Sequence, residues 1–66
     1  MTDYDDLPFK VERWTKGYAE PEETIAMCAD LISARAVFDA AVKRRPGEPL
    51  LLRHKARVIQ KSLAED

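Results

Sequence analysis

The stretch from Glu20 to Arg45 limits the folds open to this chain more than any other, because no other segment is both long and regular. Thr24, Met27, Leu31, Ala34, Phe38 and Ala41 recur at spacings of three and four, which puts them on one face of a helix. Val42 widens that stripe over the last turns. Ile25, Cys28 and Ile32 extend it around the first half, leaving Glu22, Ala26, Asp30, Ser33, Ala40 and Arg44 to face water. Pro21 suits a first helical position, where a missing N–H costs nothing. Glu20, Glu22 and Glu23 bring negative charge to one end, and Lys43, Arg44 and Arg45 bring positive charge to the other. Pro46 and Gly47 then stop the pattern. It predicts one uninterrupted helix over residues 20–45 with Met27, Leu31, Ala34 and Phe38 inward.

Such a helix must be covered by the segments on either side. Before it, Leu7-Pro8 opens a run in which Phe9 and Val11 alternate with charged Lys10 and Glu12, which is strand patterning. Trp14 falls on the face opposite Phe9 and Val11, packed over a sheet edge or the helix start, and Thr15 to Ala19, with Gly17, makes the turn. After Gly47, two templates fit. Leu50, Leu52, His54, Ala56 and Val58 alternate with Leu51, Arg53, Lys55, Arg57 and Ile59, as in a strand with one apolar and one basic face. Leu52, Ala56, Ile59 and Leu63 also follow a four, three, four spacing behind Pro49, as in a helix. The first gives a strand–helix–strand domain, whose last run can bend into two short strands. The second gives a helical hairpin with an extended N-terminal arm.

The run Phe9-Lys10-Val11-Glu12-Arg13-Trp14, the segment Ala34-Arg35-Ala36-Val37-Phe38, the Arg45-Pro46-Gly47 turn, and Leu52-Arg53 followed by Ala56-Arg57-Val58-Ile59 together resemble a family of short uncharacterised bacterial proteins. In that family the segment matching His54-Lys55 often carries a glycine, where this chain has Lys55. A glycine there suits a turn or strand better than a helix interior, so the resemblance implies strands after Gly47. It implies no activity. The expectation is a small α+β domain over residues 7–63, one long amphipathic helix on a two- or three-stranded sheet. A flexible acidic N-terminus (1–6) and a flexible C-terminus (64–66) flank it.

A chain of 66 residues is one domain, and at about that size only about 60% of the unfolded surface is buried on folding. One cysteine excludes an internal disulfide, and no Cys/His cluster offers a zinc staple, which leaves self-association as the remedy. No run approaches the ~18 apolar residues of a membrane span, and the acidic start is unlike a signal peptide, so a cytoplasmic location is expected. The net charge of −1 hides an asymmetry. Residues 1–23 carry Asp3, Asp5, Asp6, Glu12, Glu20, Glu22 and Glu23 against Lys10, Arg13 and Lys16, while residues 43–61 carry seven bases against Glu48 alone. A basic end can meet an acidic partner or the acidic end of its own chain.

Catalytic chemistry finds little support. His54 is the only histidine, and its nearest acid in sequence, Glu48, is too far along a strand to orient it. Cys28 sits among apolar neighbours and reads as a small hydrophobe. Gly17 and Gly47 cannot make a phosphate cradle, and the carboxylates lack metal-ligand spacing. No cofactor, metal or small-molecule substrate is indicated, and an enzyme is not expected. The favoured function is a small interaction or assembly module, most simply a homodimer, with Ile25, Cys28 and Ile32 at the interface and an exposed strand edge as the rival contact. The second is a nucleic-acid-binding accessory protein using Arg53, Lys55, Arg57 and Lys61 with Trp14 as a stacking platform, although Glu12 shares that face and could simply neutralise it.

Overall fold

The computed structural model describes residues 7–63. The flexible ends expected at 1–6 and 64–66 lie outside the described residues. Strand β1 (Phe9–Trp14) leads through a single 3-10 turn (Lys16–Tyr18) to β2 (Pro21–Cys28). Helix α1 (Leu31–Arg44) follows, then β3 (Leu50–His54) and β4 (Arg57–Lys61). The strands form one antiparallel sheet in the order β2-β1-β3-β4, and α1 packs on one face of it over β2, β1 and β3. The class is therefore the small α+β domain expected, with one strand more than the largest sheet foreseen.

The extra strand comes out of the long helix. Residues 21–28 are extended, so the uninterrupted helix over 20–45 is corrected to a strand, a two-residue bend and a helix half as long. Thr24 and Ile25 are β-branched and favour the pleated surface. Pro21 opens β2 at the sheet edge, where its missing N–H breaks no ladder. The helix starts at Asp30, whose carboxylate accepts from the Ser33 backbone N–H at 2.8 Å and from the Ser33 hydroxyl at 3.2 Å, an N-cap inside what reads as continuous helical periodicity. Its far end falls where expected: Lys43 and Arg44 occupy the last turn, Arg45 caps it, and Gly47 turns the chain at φ +82°.

Val11 of β1 and Leu50 and Leu52 of β3 are buried beneath Ala34, Phe38 and Ala41 of α1. Val11 stands opposite Leu52 on one side and Ala26 on the other, and Phe9 stands opposite His54 and Cys28, so these residues share the helix-covered face. The inward stripe Leu31, Ala34, Phe38, Ala41 survives the correction; Met27 leaves it, standing opposite Lys10 on the other face of the sheet. The run after Gly47 is extended, which removes the helical hairpin. It is bent at Lys55-Ala56 into two strands, and Lys55 turns the corner at φ +56°. β3 lies inside the sheet, and Leu50, Leu51 and Leu52 are all buried.

Candidate interaction surfaces

The sheet face opposite α1 is closed by a charged clasp. Glu12 is 3% exposed, yet its carboxylate is fully engaged. Arg53 donates to it through two nitrogens, Nε to Oε1 at 2.7 Å and Nη2 to Oε2 at 2.9 Å, and Trp14 Nε1 donates to Oε1 at 3.1 Å. A two-pronged guanidinium contact suits a buried carboxylate because it satisfies both oxygens at once. Arg53 Nη1 also donates to the Lys55 carbonyl at 2.9 Å, tying the clasp to the β3–β4 turn. Glu12 holds the Arg53 side chain more firmly protonated than usual.

A second network lies where the end of α1 meets the sheet. Arg13 reaches Glu22 at 3.1 Å and Glu23 at 3.2 Å, Arg45 reaches Glu23 at 2.9 Å, and Glu48 stands further off at 3.7 Å from Arg13. Hydrogen bonds from Arg45 first and Arg13 second pull the Glu23 carboxyl below its usual range. The acids that looked like helix-start residues thus tie the edge strand β2 to β1 and to the end of α1.

Beside this network a groove of about 760 Å³ is lined by Trp14, Lys16, Tyr18, Glu48, Pro49 and Leu63, among others. Its walls are fixed from within. Trp14 N–H donates to the Pro49 carbonyl at 2.8 Å. The Tyr18 hydroxyl donates to the Leu50 carbonyl at 3.2 Å and accepts from the Leu63 N–H at 3.0 Å. Gly17 (φ +76°) and Tyr18 (φ +57°) are left-handed, a conformation that only glycine takes at no steric cost. The groove was not legible in the sequence, since its walls come from positions as distant as 14 and 63. The aromatic pair Trp14 and Tyr18 around Gly17 was the one local signal.

The residues expected at an interface are not brought together. Cys28 is 9% exposed and belongs to the core, where burial first and Asp30 second push its thiol above the usual range. Ile25 is half-buried on β2 and packs against that core. Ile32, in the first turn of α1, is 84% exposed and stands alone. A joint patch of these three required one helical face, and two of them lie on a strand. On the basic side, Arg53 and Trp14 are committed to Glu12, and the Lys61 ammonium lies 5.0 Å from the centre of the Tyr18 ring. Lys55 and Arg57 are exposed at the β3–β4 turn. His54 is exposed and stacks on Phe9 with ring centres 4.7 Å apart.

The two sheet edges differ. β2 carries two bulges, at Ile25 and Glu22, besides Pro21 and the tethered glutamates. β4 carries one bulge and, at Val58, a large apolar side chain 46% exposed. A groove lined by Phe38, Asp39, Val42, Gln60 and Ser62 separates the flank of α1 from β4. Among the described residues no three His, Cys, Asp or Glu side chains converge as a metal site, and no helix is long and apolar enough to cross a membrane. Compared with protein-family models, with curated proteins and with solved structures, the chain finds no match.

Proposed function

We propose that this chain is a small non-enzymatic assembly module that self-associates, and that its contact element is the outer edge of β4. The observation that carries the reading is the exposure of that strand: among the described residues β4 pairs on one side alone, with β3, and keeps an exposed Val58. An edge strand with unpaired N–H and C=O groups is a template for another strand. β2 is the poorer template, because bulges, a proline and charged side chains are the devices that blunt an edge. In a two-fold antiparallel pairing centred on Val58, which then meets Val58 of the second copy, Arg57 faces Ile59 and so meets no like charge. The commitment of Arg53 and Trp14 to Glu12 lowers the appeal of the nucleic-acid reading, because less of the basic face is left for phosphates.

Light scattering behind a sizing column, run over a range of concentrations, tests the proposal. A dimer is expected that becomes monomeric in Val58→Glu, since one charge at a two-fold contact acts twice. Ile32→Glu should stay dimeric. A folded monomer at every concentration, or a dimer broken by Ile32→Glu and untouched by Val58→Glu, would refute the β4 assignment.

A further inference from the structure

The groove walled by Trp14, Tyr18 and Pro49 abuts the end of β4, where Lys61 lies over the Tyr18 ring, and its chemistry is selective. The polar edges of both rings are already used, the indole N–H by Glu12 and the phenol hydroxyl by Leu50 and Leu63. What the aromatics offer an occupant is ring surface with little hydrogen-bonding capacity left, and Pro49 and Leu63 add further apolar wall. Of the charges at the rim, Arg13 is bound to Glu22 and stands near Glu48. Lys16 is exposed and, among the described residues, is the one charged side chain of this lining without an ion pair. The groove is also partly open to solvent. A compact small molecule seeks burial of most of its surface, whereas an extended chain can lie in a trough.

We propose that this groove docks an extended segment of a partner protein, with proline rings against Trp14, Tyr18 and Pro49 and a carboxylate paired with Lys16. Proline fits what the walls lack and supply. Its ring needs no donor, and a proline-rich segment is already stiff and extended, so little freedom is lost on binding. The carboxylate follows from charge: the pairs around Arg13 are satisfied internally, and Lys16 is left to be matched. The strained Tyr18 backbone supports the same reading, since its hydroxyl bonds hold the ring in the groove wall at the expense of an unfavourable φ.

Trp14 is the only tryptophan, so its emission reports on the groove directly. A proline-rich peptide with one central aspartate, titrated into the full chain, should give a saturable change. The same peptide with alanine at every proline should not. Lys16→Glu should weaken binding about fivefold, as expected for one exposed charge contact. A peptide with lysine replacing the aspartate should recover the loss on that variant. Lys55→Glu, at the β3–β4 turn, should leave the titration unchanged. The proposal is overturned by no saturable change, by equal binding of the alanine peptide, or by indifference to Lys16→Glu. Emission that follows protein concentration without peptide would assign the groove to a second copy and overturn it as well.

Discussion

Lys55 is the residue on which the C-terminal half turns, and it does so in a conformation that disfavours a side chain. At φ +56° its Cβ crowds the following carbonyl, a cost of about 1–2 kcal/mol that glycine avoids. Part of that gain is offset by the greater freedom glycine has when unfolded. Lys55→Gly should therefore stabilise the fold by about 0.5–1 kcal/mol, read as a higher urea midpoint with unchanged slope. The turn's other bonds survive the exchange, because Arg53 reaches the Lys55 carbonyl and Lys55 N–H reaches the Pro8 carbonyl, both on the backbone. A lower midpoint would show that the lysine side chain itself matters here. Glu12 contrasts with it: its side chain is buried and charged, and it persists because Arg53 and Trp14 leave neither oxygen bare.

At the scale of elements, β1 and the C-terminal half of the long helix could be read from alternation and from the three-four spacing, whereas the run that forms β3 and β4 fitted strand and helix alike. The strand β2 could not be read. Thr24, Met27 and Leu31 fit a helical stripe by position alone, and only tertiary pairing with β1 shows that Ala26 and Cys28 point inward while Met27 does not. The missed signal was Asp30 with Ser33 three residues on, a helix start that periodicity hid. Asp30→Ala should cost about 1 kcal/mol of stability in chemical unfolding, the usual loss for an N-cap, whereas a mid-helix aspartate would gain from the exchange. The clasp was half legible: Glu12 was placed on the basic face, but nothing in the spacing showed that it would be buried by Arg53 and Trp14. The groove depends on contacts across more than forty residues, which no local pattern encodes.

For the whole molecule, acid is the first threat. Glu23 is lowered by Arg45 and then Arg13, and Asp30 by the Ser33 N–H and then its hydroxyl. Both carboxyls bind protons less readily folded than unfolded, so their contribution is full above the unfolded values near 4 and is lost as pH falls through the folded ones. Cys28 sets the opposite limit, since its raised thiol makes unfolding easier once pH rises past the ordinary thiol value of about 8.5. Urea midpoints should be level near neutrality and drop on both sides, and Glu23→Gln should flatten the acid limb. An acid limb unchanged in that variant would mean that Glu23 titrates alike in both states. The strand order carries a further consequence for how the chain comes into being. β1 is central, but its neighbour β3 begins only at Leu50. During synthesis β1 and β2 can pair early, yet one side of β1 stays open, and Glu12 lacks its guanidinium partner, until Arg53 has been added. Folding is thus held back by the order of translation: β1 has to wait for β3 before the sheet has a middle.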